Sequence, residues 1–201
     1  AQLRPYHDRY RRVVLLGPSH RVPFRGLAAS DAAAFSTPLG DVPVDRQAIA
    51  ELDVPGLTVA AAPHAREHSL EVHLPFLQAV LDDFVLVPIV VGDAAPQLVA
   101  RALDALWDGP ETLIVISSDL SHYRPYAEAQ AIDAITCQAI EQLDASGLNH
   151  DMACGATAVA GLLIAAGLQK LTVTTLDLRN SGDTSGDKGV VVGYGAWSFS
   201  A

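Results

Sequence analysis

The sequence is short of cysteine, of lysine and of long apolar runs. Its two cysteines, Cys137 and Cys154 among 201 residues, are too few for a disulfide framework and agree with a reducing compartment. Only Lys170 and Lys188 are lysines, and 13 basic residues stand against 23 acidic ones, a formal net charge of −10. Such a surface repels a phosphate backbone, so nucleic acid is not expected as a partner. The longest apolar runs, 84–91 and 156–168, are shorter than the roughly 18 to 20 residues that cross a bilayer, or are broken by glycine. No signal or transit peptide is visible, so a membrane is not expected as a partner either, and the expected location is cytoplasmic. There is no initiator methionine: residues 1–12 read as the tail of a helix running uncapped into a strand, which implies further residues upstream.

The chain is half apolar and 18% charged, the composition of a globular protein. A chain of this length suits one domain, here 1–201, that buries roughly 70% of the surface its unfolded form exposes. Strand-like runs occur at 13–16, 57–61, 84–91, 112–117, 171–178 and 189–198. Most are continuously apolar rather than alternating, as strands buried on both faces are. Helical patterns lie between them, at 45–52, 69–81, 95–107, 126–143 and 155–166. The alternation predicts an α/β fold, a mostly parallel central sheet with helices on both faces. Ser69 and Asp93 read as helix starts, Gly109-Pro110 as a helix stop, and 180–187 as a long flexible loop.

In such a fold, polar residues just past the C-terminal ends of strands face the crevice where ligands bind. The run Val13-Val14-Leu15-Leu16-Gly17-Pro18 delivers Ser19 and His20 there, and Thr112 to Ser117 delivers Ser118, Asp119 and His122. Asp119 and His122 are three apart and share a face if the segment turns helically, so the carboxylate can orient the imidazole. The plain alternative is that Ser118 or Asp119 caps a following helix. Glu67, His68, Glu71 and His73 crowd into seven residues, without the His-Glu-x-x-His spacing of the zinc proteases. Part of that cluster is equally explained as hydrogen bonding between helix and sheet. Cys154 stands just before an apolar helix that could begin at Gly155, where the helix dipole favours a thiolate, suiting a metal ligand or a nucleophile. Cys137 fits a small core or surface residue. Together His20, Cys154, His122 and Asp119 make a mixed N/S/O donor set of the kind that suits iron, copper or zinc.

Gly17-Pro18-Ser19-His20, Thr37-Pro38-Leu39-Gly40, Glu67-His68-Ser69-Leu70-Glu71-Val72-His73-Leu74-Pro75, Pro88-Ile89-Val90-Val91-Gly92, Ser117-Ser118-Asp119-Leu120-Ser121-His122 and Cys154-Gly155 occur in the order and approximate spacing of the Memo family. In bacteria and archaea that family is also called AmmeMemoRadiSam system protein B. The resemblance runs from Val13 to the C-terminus. It implies a fold similar to the class III extradiol dioxygenases, non-haem iron enzymes that open catechol rings. It further implies His20 as the second metal histidine, Cys154 as a cysteine ligand in place of a carboxylate, and His122 as the general acid/base, with Asp119 in the same motif. The family's first metal histidine lies in a Pro-His-Ala-Gly segment upstream of the strand at 13–16, beyond this chain, and Pro63-His64-Ala65 is an echo in the wrong place. The family name also implies a radical-SAM system partner.

Three functions compete. The first is an iron- or copper-dependent redox enzyme with His122 shuttling protons, Asp119 orienting, and Ser19, Glu67, His68, Glu71 and His73 binding substrate or supporting the site. The second is a non-catalytic module that binds a metal, a small molecule or a peptide on a vestigial dioxygenase pocket. The third, a hydrolase using Ser19 or Cys154 with His122 as base, lacks the Gly-x-Ser-x-Gly elbow.

Overall fold

The computed structural model describes residues 2–201. The chain divides into two compact units, Ala1–Ser117 and Ser118–Ala201. The first is built on a five-stranded sheet in the order β5-β2-β6-β1-β7, where β1 is Arg12–Pro18, β2 Leu27–Ala29, β5 Leu57–Val59, β6 Val85–Val91 and β7 Thr112–Ile116. Three of its four neighbouring pairs are parallel and one, β2 with β6, is antiparallel. The α/β class and the mostly parallel central sheet therefore stand as the sequence implies.

The centre of this sheet explains the continuous apolar runs. Val13, Val14, Leu15 and Leu16 of β1 and Leu86, Val87, Ile89 and Val90 of β6 are all fully buried, and β1 is paired on both edges, with β6 and with β7. A strand enclosed in this way has no solvent face, so it shows no alternation. Pro88 is accommodated inside β6 because β2 is only three residues long and ends opposite Ile89, one residue short of the proline that cannot donate a ladder bond. The core of this unit collects Val13, Leu15, Leu70, Leu74, Leu77 and Leu86. Three helices, α1 at Arg46–Glu51, α2 at Leu74–Gln78 and α3 at Pro96–Leu106, and a hairpin of β3 at Ala34–Thr37 with β4 at Gly40–Pro43 complete it.

The second unit is an antiparallel sheet in the order β8-β10-β9, with β8 at His122–Arg124, β9 at Thr172–Asn180 and β10 at Val191–Ser200. Its helices are α4 at Tyr126–Glu141, α5 at Ala156–Leu168 and α6 at Ser181–Ser185. β9 alternates between more and less exposed residues, so it departs from the two-face burial expected of most strands. α5 is rich in alanine and leucine on every side and eight of its residues are buried, as an all-apolar helix must be.

Several expectations are corrected. The helix at 69–81 shrinks to a 3-10 turn, Glu71–His73, followed by α2, because Pro75 has no N–H to continue a helix and instead opens a new one. Ser69 does not cap it: its Oγ donates to the Pro18 carbonyl (2.9 Å). Asp93 does not cap α3, whose N-cap is Ala95 with Pro96 next; its backbone bonds to Phe24 and Gly26 instead. Within 180–187 the chain forms α6, closed at its start by a capping box between Asn180 and Asp183 and at its end by Gly186 in the left-handed region. The N-terminal helix tail is limited to a 3-10 turn, Arg4–Tyr6. No described helix is long and apolar enough to cross a membrane.

His64, in the echo segment, is structural. Its Nε2 donates to the Ala28 carbonyl (3.0 Å) and its Nδ1 is buried without a partner. Burial lowers its pKa from the ordinary 6.5, more than the Ala28 hydrogen bond raises it. The unfolded chain then binds a proton that the folded chain refuses, so this contribution to stability is full above pH 6.5 and is lost on acidification through the lowered value. His64→Gln, which can keep the bond to Ala28 without titrating, is expected to flatten the fall in Tm between about pH 7 and about pH 5, measured by thermal melts of both proteins.

Candidate functional site

In the first unit, the site residues begin where β1 ends. Ser19 N donates to the Val91 carbonyl (3.0 Å) and Ser19 Oγ to the Val22 carbonyl (2.6 Å), so this serine turns the chain rather than presenting a free hydroxyl. His20 follows, its side chain 34% exposed. Behind it lies Glu67, with a side chain only 1% exposed. Glu67 Oε2 accepts from His20 N (2.5 Å), and Oε1 accepts from His20 Nδ1 (2.9 Å), His68 N (2.9 Å) and Ser69 N (3.0 Å). Burial alone would push the Glu67 carboxyl up, but the hydrogen bonds from His20 and Ser69 outweigh it and hold the pKa at about 2. The close approach of this turn to β1 requires a bare backbone at Gly17: a Cβ there would lie 2.8 Å from Ser69 Oγ and 2.9 Å from Leu70 Cδ2.

His68 is exposed, its ring centroid 4.9 Å from that of His20 and its Nδ1 3.3 Å from Glu67 Oε1. His20, Glu67 and His68 thus bring ligand-type atoms within 4.8 Å of one another, but the oxygens of Glu67 are already taken up by N–H donors. Glu71 opens the 3-10 turn on the surface and His73 closes it half-buried; neither belongs to that group of three.

In the second unit, Asp119, His122 and Cys154 bring one ligand atom each within 4.8 Å of one another. The segment that carries the first two is irregular, with a bend at Ser121, not helical, and His122 starts β8. No helix follows for Ser118 or Asp119 to cap. Their side chains meet all the same: His122 Nε2 lies 3.5 Å from Asp119 Oδ2. The residue after His122, Tyr123, has φ 56°, an uncommon left-handed conformation for a tyrosine.

Cys154 is fastened to that segment through both its backbone and its sulfur. Its N–H donates to the Asp119 carbonyl (3.2 Å), and the Asp119 N–H donates back to Cys154 Sγ (3.2 Å). Ser118 Oγ accepts from Gly155 N (2.9 Å) and stands 3.8 Å from the sulfur. The N-cap of α5 is Gly155, so Cys154 lies outside the helix. Burial pushes the Cys154 thiol up, and the hydrogen bonds from Asp119 and Ser118 reduce that only partly. The thiolate expected from a helix dipole is therefore not favoured in the metal-free protein.

No sequence motif points to Asp133, yet it supports this segment. It is 3% exposed, its Oδ1 accepts from Ser121 N (3.0 Å), and burial raises its pKa. Leu120 N donates to the Gly193 carbonyl and Gly193 N to the Ser121 carbonyl, so α4 and β10 hold the 118–122 segment from two sides. The spacing of Ala129, Asp133, Thr136, Cys137 and Ile140, all buried in α4, is the signal that could have found it: Asp133 stands in the apolar stripe.

An imidazole nitrogen, a thiol sulfur and a carboxylate oxygen form a donor set that suits iron, copper or zinc. His20 fits a ligand role as well, since its Nε2 makes no hydrogen bond among the described residues.

Residues 3–198 match the family described as Memo-like protein. The chain belongs to the Memo family. A MEMO1 family protein of Aeropyrum pernix is 40% identical over 201 residues, covering 92% of this chain and 70% of the relative. One of Aquifex aeolicus is 37% identical over 197 residues, covering 91% and 73%. Among solved structures, the uncharacterized protein JW3007 from Escherichia coli K12 superposes with a TM-score of 0.59 at 18% identity, over 96% of this chain and 90% of that one; that likeness concerns the fold of this Memo protein.

Metal-free protein is expected to alkylate at Cys154 more slowly at neutral pH than a free cysteine does, as followed by mass spectrometry with iodoacetamide, because burial keeps the thiol protonated. Asp133→Ala leaves the Ser121 N–H unpaired in the interior and is expected to cost about 1–3 kcal/mol in chemical denaturation.

Proposed function

We propose that this Memo-family protein is an iron- or copper-dependent redox protein acting on a small molecule. The observation that carries the reading is the convergence of Asp119, His122 and Cys154, which brings the sulfur of Cys154, a candidate ligand, within 4.8 Å of an imidazole and a carboxylate. The ligand roles of His20 and Cys154 are those the resemblance implies, and the Nε2 of His20, without a hydrogen bond among the described residues, supports the first of them. Bound iron or copper supplies Lewis-acid and one-electron chemistry that protein side chains lack.

The chain's own residues contribute the rest. His122 takes or gives the proton, its imidazole standing beside Asp119 and Cys154. Asp119 Oδ2, 3.5 Å from His122 Nε2, steadies the ring when it is protonated. The Asp119 N–H bond to Cys154 Sγ favours the deprotonated sulfur that ligation needs, which burial opposes. A thiolate in place of a carboxylate makes the donor set softer, so catechol ring opening is not carried over with the fold.

Protein that carries the upstream histidine segment implied by the resemblance, purified anaerobically, is expected to hold close to one equivalent of iron or copper by mass spectrometry, lost in His20→Ala and in Cys154→Ala. His122→Ala is expected to keep the metal while lowering oxygen consumption by about 10²-fold or more. Absence of bound metal from the wild type would sink the proposal. Metal bound without any turnover dependent on His122 would reduce the protein to a binding module.

A further inference from the structure

Four N–H donors converge on the buried carboxylate of Glu67, and the arrangement is lopsided in a useful way. Oε1 takes three of them, His20 Nδ1 (2.9 Å), His68 N (2.9 Å) and Ser69 N (3.0 Å), while Oε2 takes His20 N. One side chain therefore grips His20 twice, by its backbone and by its ring. The partners lie 47 residues apart in sequence, and the turn at 67–69 is further pinned to β1 by Ser69 Oγ on the Pro18 carbonyl (2.9 Å). A carboxylate can only accept, so the ring nitrogen facing it must be Nδ1–H. In the neutral ring the lone pair is then forced onto Nε2, which makes no hydrogen bond among the described residues. An unconstrained imidazole distributes its proton over both nitrogens and turns about two side-chain bonds; this one is fixed in tautomer and in direction.

We propose that Glu67 is a positioning residue that makes His20 a ligand, holding its ring as the Nδ1–H tautomer with Nε2 bare toward a cation. The inference rests on the metal-binding reading, and it deepens that reading by assigning its supporting carboxylate. It separates Glu67 from Glu71 and His73 of the same cluster, which stand on the 3-10 turn beyond it. It also explains why Glu67 is not itself a ligand: its lone pairs are spent on N–H groups.

The variants are Glu67→Gln, whose neutral amide is a weaker acceptor and sets an NH2 group against one of the four donors, and Glu67→Ala, which removes the acceptor. The tautomer of His20 is read in metal-free protein by 15N NMR of the imidazole, assigned with His20→Ala. Affinity is read separately by anaerobic titration with Fe2+. The wild type is expected to show His20 wholly as Nδ1–H. Both variants are expected to populate the Nε2–H form and to bind Fe2+ about 10- to 100-fold more weakly, while Glu67→Gln in the His20→Ala background changes affinity no further. If Glu67→Ala does not fold, Glu67→Gln decides. Folded variants that keep the Nδ1–H tautomer and bind Fe2+ within about twofold of wild type would overturn the proposal, even if they melt earlier, since Glu67 would then only brace the turn. A wild type carrying the proton on Nε2 would overturn it too. Because the tautomer is measured without metal, a protein that binds no Fe2+ ends the metal reading but leaves the assignment of Glu67 to His20 decided by NMR.

Discussion

A strand enclosed on both faces and both edges can carry no polar side chain until it runs out of sheet. β1 obeys that constraint from Val13 to Leu16, every residue fully buried, and beyond Leu16 the change is abrupt: Gly17, Pro18, Ser19 and His20 occupy four successive positions. The cost of burying an unpaired polar group, about 1–3 kcal/mol in protein interiors, sorts apolar residues into the strand and chemistry onto its C-terminal rim. The remainder of the first unit supports this rim. Glu67 and Ser69 reach it from a turn that Gly17 admits, and Leu70 and Leu74 anchor the turn in the core.

The same constraint explains how much of the fold could be read from sequence. β1, β6 and β7 were legible because stretches built almost wholly of valine, leucine and isoleucine have few other uses. β2, Leu27–Ala29, was not, because three residues, two of them alanine, have no intrinsic preference for a strand; its place comes from pairing with β5 and β6. β8 begins with a histidine and ends with an arginine, and it is a strand because β10 pairs with it. At 69–81 the helical periodicity was real, but Pro75 divides the segment, a local rule overriding a longer pattern.

For the candidate site, residue identities were more legible than residue relations. Asp119, His122 and His20 announce themselves by type and by position after strands, and Cys154 by type and by position before a helix. Their supports do not: Glu67 stood in a recognisable cluster, but its partner is distant in sequence, and Asp133 was hidden by its own helix. The helical turn on which a shared face for Asp119 and His122 was conditional does not form, because two bonds join the Leu120–Ser121 backbone to Gly193 of β10, yet the pair meets at 3.5 Å. The thiol of Cys154 teaches the same lesson: a helix start was visible in the sequence, whereas the burial that governs its proton was not.

The packing of Asp133 beneath β10 constrains how this protein could change over generations. A Cβ at residue 193 would collide with Asp133 Oδ2, so any side chain at 193 needs a smaller one at 133, and a smaller one at 133 gives up the acceptor for Ser121. Either change alone costs stability, by the clash or by the lost acceptor, and only the two together avoid the clash. Residues 133 and 193 are thus bound to covary or to stay as they are, and the loop that carries Asp119 and His122 inherits that inertia.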